Sequence, residues 1–351
     1  MPYARTRTGP YAASELVALY RRQLEACRLR AGETCLILTD TGYDPAASAA
    51  CLAAAHDLGA TAVVVTLSSD RPLPGAYLAS TFASSDLVLA LTPHRVHYDP
   101  HLRAALDAGS RALMAVQPTH VLQRLPADDA VIARTKLGAA RLARAATLAI
   151  TSGHGTDLRM RVAGRPALAH YGVADEPGHF DFWGGGMVEI APHEGTVEGT
   201  LVLAPGDQIF HLGRFVEHEV RLRIEAGRVT TIAGGLDASL LRRHLDDYRD
   251  PNAFLVGHVA WGTDQRASWT AQLVQFPEAG AGNADAEGYL GNVQVELGCN
   301  DDQYFRGAIT SAAHLGLCLL DATLALDGET VIERGRFVNA LAACQPAEHD
   351  A

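Results

Sequence analysis

Residues 32–67 read GETCLILTDTGYDPAASAACLAAAHDLGATAVVVTL, and their order decides the first half of the fold. GETCLILTD (32–40) has the unbroken apolar run of a strand buried on both faces. PAASAACLAAAHDLG (45–59) follows as an alanine-rich helix that stops at a glycine, and ATAVVVTL (60–67) is a second buried strand. Strand, helix and strand in so short a stretch form the βαβ unit of a parallel sheet. DLVLAL (86–91) and RALMAV (111–116), each after a helical stretch, continue the alternation. The expectation is an open α/β sheet of about four parallel strands.

The turn after the first strand, TDTGYDPAA, has neither the G-x-G-x-x-G pattern nor a P-loop lysine, so it reads as scaffold rather than as a nucleotide cradle. TPHRVHYDPH (92–101) follows the third strand, where α/β sheets place ligand loops. Its His94, His97 and His101 are solvated loop histidines or substrate contacts, and His97 is kept as a candidate site residue.

A helix over 128–147 closes the first half. From about 149 the texture changes to short strands punctuated by glycine. EVRLRIEAGRVTTI alternates with period two about Ala226-Gly227, the pattern of a hairpin, and DASLLRRHLDDY (237–248) is an amphipathic helix. The fold class is therefore α/β, α+β overall. An N-terminal open parallel domain (1–148) is joined to a mostly antiparallel β domain with helices (149–351).

The chain has 351 residues, enough for two cores. A net charge of −11 without a basic cluster argues against a nucleic-acid partner. No run of about 18 apolar residues suggests a membrane span, and MPYARTRTGP lacks the apolar stretch of a signal peptide, so a cytoplasmic location is expected. The six cysteines show no paired spacing and read as reduced, mostly buried thiols. The tail from 343 (ACQPAEHDA) reads as frayed.

The informative residues are polar ones that interrupt apolar strands. FLVGHVAWG (254–262) sets His258 between valines, and ITSAAHLGLCLLDATLAL carries His314. One such histidine is usually a hydrogen-bonded core residue. Two in the same domain raise the alternative of metal ligands, since neutral imidazole on a rigid strand is a common donor.

YGVADEPG (171–178), EGTLVL (198–203), GHVAWGTDQRASWTA (257–271), YLGNVQ (289–294) and AHLG (313–316) resemble, in order and spacing, the 2,5-dihydroxypyridine 5,6-dioxygenases. These are distant relatives of the thermophilic M29 aminopeptidases. The resemblance implies a mononuclear non-haem Fe(II), two histidines corresponding to His258 and His314, an aspartate, and oxygenative opening of a hydroxypyridine ring by O2. It also implies a tendency to form homo-oligomers. The peptidase branch needs two further glutamates, and the matching positions here are Met187 and Asn292. A two-metal hydrolase is not expected.

The chain departs from the family pattern. The metal motif His-Leu-Asp reads His314-Leu315-Gly316. Alternation in NVQVEL puts Asn292, Gln294 and Glu296 on one face, which makes Glu296 the first candidate for a replacement carboxylate. Asp301 and Asp302 are weaker ones. Otherwise two histidines hold the metal alone, or no metal binds. The family's histidine before a tryptophan is Phe182 here, with His179 three residues earlier, while Glu176, Trp183, Arg266 and Trp269 are retained. Glu176 either binds substrate or caps a turn. Arg266 either orients an anionic substrate through two parallel hydrogen bonds or forms a structural ion pair.

Three functions follow as expectations. The first is an Fe(II) oxygenase on a hydroxypyridine-like ring. The second is a catalytically altered member that binds a small aromatic or peptide-derived molecule in a biosynthetic pathway. The third is a single-metal hydrolase in which Glu296 serves as base.

Overall fold

The computed structural model describes residues 11–68, 75–92, 94, 96–270, 284–301, 304–338 and 341. The first ten residues, Asp302, Cys344 and the tail from 343 lie outside the described residues. The chain forms two compact units. One comprises the described residues of Met1–Asp128 together with Tyr171–Gly185, and the other those of Asp129–His170 and Gly186–Ala347.

The first unit is a five-stranded parallel sheet. Its order is Thr61–Leu67, Thr34–Asp40, Leu87–Leu91, Arg111–Met114 and Phe180–Phe182. The unit has one strand more than the four expected. The fifth pairs parallel with Arg111–Met114 although it lies far along the chain. Helices Pro45–Asp57 and Pro100–Asp107 begin alike: Asp44 and Asp99 accept from the backbone N–H two residues on, and proline follows at the first helical position. That combination satisfies an orphan donor and presets φ.

The second unit packs two antiparallel sheets on one core. The eight-stranded sheet contains the hairpin Val220–Glu225 to Arg228–Gly234, turned by Ala226 and Gly227, both at positive φ. The seven-stranded sheet runs Arg214–Phe215, Gln208–Ile209, His314–Leu319, Val293–Gly298, Val256–Gly262, Met187–Ile190 and Ala167–His170. Helix Asp129–Leu142 packs on the last two of these strands. Gly138 permits the close approach, since a Cβ there would lie 3.1 Å from Val188 Cγ2. The helix thus lies in the second unit and residues 171–185 lie in the first, a division different from the sequence boundary at 148–149. Long-range packing sets it, and texture along the chain does not display that.

The central strands Val256–Gly262 and Val293–Gly298 are buried throughout. Their odd-numbered residues Val259, Trp261, Val293, Val295 and Leu297 enter the apolar core. The opposite face carries His258, Asn292, Gln294 and Glu296, all buried. Val256 also joins the core, so strict alternation would send His258 there too. The pairing register slips between the two: Val256 faces Leu297 and His258 faces Glu296. The extra residue, Gly257, flips His258 to the polar face, the usual effect of a bulge. A Cβ on Gly257 would lie 2.8 Å from the carbonyl oxygens of both Gly298 and Cys299. Gly257→Ala should therefore cost about 1–3 kcal/mol of stability. Denaturant melts of the metal-free protein measure it, and curves coincident with wild type would contradict the need for glycine there.

Candidate metal centre

Three neighbouring strands bring three side chains to one place. His258 stands opposite Glu296, Glu296 opposite Gly316, and His314 sits two residues before Gly316 on the same face. One potential ligand atom from each of His258, Glu296 and His314 lies within 4.8 Å of the other two. The imidazole centroids are 5.2 Å apart, and Phe305 stacks on His258 at 4.4 Å and 24°. Cys299 Sγ lies 3.9 Å from His314 Nδ1.

Two buried polar atoms of this cluster, His258 Nδ1 and Glu296 Oε2, have no hydrogen-bond partner. Buried polar atoms are nearly always paired, so two orphans in one cluster suit a bound group. Burial, helped by His314 and then His170, holds His258 well below the ordinary imidazole value. Burial, then Glu287 and Glu189, pushes Glu296 well above the usual carboxylate range. Burial thus disfavours charge on both His258 and Glu296, and a divalent cation reverses that preference. Two imidazoles and one carboxylate, with an unpartnered atom on His258 and on Glu296, fit a metal ion.

The same polar face holds residues that sequence reasoning passed over. Glu189 is set opposite Ala260 and opposite Leu168. Its Oε1 lies 3.9 Å from His170 Nε2. Glu189 alternates with Met187, so its face was readable. Glu287 carried no such signal. Its position comes from amides: Gln294 Nε2 donates to its carbonyl at 2.7 Å and Asn292 Nδ2 at 2.9 Å.

Arg266 is in the second unit with its fork engaged by Asp264, Nε to Oδ1 at 3.0 Å and Nη2 to Oδ2 at 2.8 Å. Asp301 accepts from Thr310 Oγ1 at 2.5 Å on an exposed loop. His97, Glu176 and His179 belong to the first unit. His97 packs among Tyr98, Phe180 and Phe182, with Nδ1 3.2 Å from Met114 Sδ. His179 stacks on Tyr171, its Nδ1 3.0 Å from the phenolic oxygen, between Asp175 and Asp181. Glu176 is exposed, and its carbonyl accepts from the His179 N–H at 3.0 Å.

A buried cluster of two histidines and one carboxylate on a β-sheet, in a chain that also carries an open parallel α/β unit, defines a two-histidine, one-carboxylate type of site. Comparison with known proteins gives the family. A family model described as 2,5-dihydroxypyridine 5,6-dioxygenase (NicX) matches residues 15–339. The 2,5-dihydroxypyridine 5,6-dioxygenase of Pseudomonas putida KT2440 is 30% identical over 348 residues, covering 94% of this chain and 97% of that one. The solved structure of 2,5-dihydroxypyridine dioxygenase from that organism superposes with a TM-score of 0.89 at 28% identity, over 95% of this chain and all (100%) of the other. AmpT from Thermus thermophilus shares the fold, with a TM-score of 0.66 at 16% identity over 93% of this chain and 100% of its own. The chain belongs to the 2,5-dihydroxypyridine 5,6-dioxygenase family.

Glu287 gives a measurable signature of the polar face. Burial, with Glu189 adding and His170 opposing, pushes its carboxyl up to about 7. The unfolded chain titrates it near 4.3, so folding takes up a proton between these values. The stabilising share of this group is whole below the unfolded value and is lost as pH rises through about 7. Metal-free Glu287→Gln should lack that loss. Wild type should thus weaken relative to the variant as pH climbs from about 4.5 to about 7. Thermal melts that stay parallel across this range would contradict the assignment.

Proposed function

We propose that the protein is an Fe(II)-dependent oxygenase that opens a hydroxypyridine or closely related hydroxylated aromatic ring. His258, His314 and Glu296 would hold the metal. The observation that carries this reading is the convergence of three donors, two of them buried and with unpartnered atoms. Two histidines and one carboxylate are the usual donor set of non-haem Fe(II) oxygenases and leave positions open for substrate and O2. Family membership supports the ring class, because the named relative acts on 2,5-dihydroxypyridine.

A bound Fe(II) would supply the electron density through which a closed-shell ring and O2 react. The chain's own residues do the rest. Burial keeps the His258 lone pair available, and Phe305 on its ring face limits water and fixes the ring plane. Burial favours the protonated form of Glu296, and a bound cation would displace that proton, so loading would release acid. Glu189, Glu287 and His170 are the groups on the same face able to hold that proton. His179, held between Asp175 and Asp181, is the proton-transfer candidate of the first unit.

Protein loaded anaerobically with Fe(II) and then mixed with 2,5-dihydroxypyridine and 18O2 should consume O2 and place label in the product. His258→Ala and His314→Ala should each lower that rate at least about 100-fold, more than outer-shell changes do. Stoichiometric iron without O2 uptake would end the oxygenase reading. Product oxygen drawn from labelled water would instead make the protein a single-metal hydrolase.

A further inference from the structure

Gly316 lies directly opposite Glu296 on the neighbouring antiparallel strand. Its backbone needs no glycine: it sits inside the extended strand His314–Leu319 and is not among the positive-φ positions. Glycine in a strand interior is otherwise unfavourable and marks close approach by another group. That group is visible. A Cβ at 316 would lie 2.7 Å from Glu296 Oε1, 3.1 Å from its Oε2 and 2.7 Å from Phe210 Cδ2. The carboxylate of Glu296 therefore fills the place where a side chain at 316 would begin. Glu296 is 3% exposed and Phe210 4% exposed, so neither has open solvent to move into.

We infer that positions 296 and 316 are mutually exclusive seats for one metal-binding carboxylate, and that Gly316 is the positioning residue that assigns the seat to Glu296. The inference rests on the metal reading above and deepens it. A glutamate reaching across from residue 296 and a shorter acid rising from residue 316 arrive at the same point beside His258 and His314. Both together would collide, and with neither the cluster has no carboxylate.

The test is a cycle of four variants of the full chain: Glu296→Ala, Gly316→Ala, Glu296→Ala with Gly316→Ala, and Glu296→Ala with Gly316→Asp. Each is read by metal content after anaerobic Fe(II) loading, by Zn(II) titration, and by thermal melting of the metal-free form. Glu296→Ala should lose at least about 100-fold in metal affinity. Gly316→Ala should lose metal and also melt lower. Adding Glu296→Ala to it should recover the part of the melting temperature lost to the Glu296 contact, leaving the part due to Phe210 Cδ2, and should not recover the metal. Glu296→Ala with Gly316→Asp should regain affinity to within about 10-fold of wild type. A destabilisation by Gly316→Ala that Glu296→Ala does not relieve would overturn the exclusion. An acid at 316 that binds no more metal than Glu296→Ala would overturn the shared seat. Wild type that takes up neither Fe(II) nor Zn(II) sinks the metal reading and the donor assignment with it, while the melting cycle still reads the steric exclusion by itself.

Discussion

The polar face of the seven-stranded sheet is buried, and that burial governs the rest of the second unit. Asn292, Gln294, Glu296, Gln208, Glu189 and His258 are all removed from water. An ion moved into such a place loses several kcal/mol of solvation unless something replaces it. The structure meets this in two ways. The amides of Asn292 and Gln294 donate to the carbonyls of Ala286, Glu287 and Tyr289, which closes their requirements and holds that segment against the sheet. Burial instead pushes the Glu296 carboxyl and the His258 imidazole toward their uncharged forms, and raises Glu287 to about 7. A half-satisfied cluster in which burial disfavours charge can exchange protons for a cation and gain both charge balance and missing bonds.

What could be read in the sequence was whatever rests on local pattern. The βαβ stretch at 32–67 reads from continuous apolar runs around an alanine-rich helix. The hairpin at Ala226-Gly227 reads from period-two alternation around a turn pair. Alternation also placed Asn292, Gln294 and Glu296 together, because Val293–Gly298 pairs in unbroken register with His314–Leu319. What escaped depends on partners distant in sequence. Phe180–Phe182 is too short to announce a strand, and its partner lies at Ala112–Met114. The bulge at Gly257 is a matter of register, although it decides which face His258 occupies. Glu287 is placed by amides from another strand and has no pattern of its own.

The chain shares its fold with AmpT. The two positions matched to the peptidases' further glutamates carry Met187 and Asn292. Asn292 Nδ2 serves three backbone carbonyls at 2.8–2.9 Å, and its Oδ1 accepts from Gln294 Nε2 at 2.8 Å. Met187 pairs with His170 and with Gly262, where the Tyr289 and Glu287 carbonyls already fill the space above the glycine. His258 Nδ1 and Glu296 Oε2 are among the unpartnered atoms of this face.

Antiparallel pairing explains how a donor can change residue number without changing place. Facing residues on neighbouring strands have Cβ atoms about 4.5–5.5 Å apart, so one side chain long enough to cross that gap reaches the ground above its neighbour. Glutamate spans it only if the neighbour offers no Cβ of its own. A glycine opposite a buried, unpaired carboxylate is then half of an arrangement, and its meaning lies in the pair. Along the chain, His314-Leu315-Gly316 looks like a broken motif. Across the sheet, the row His258, Glu296, Gly316 keeps a carboxylate beside two imidazoles and removes the one atom that would displace it.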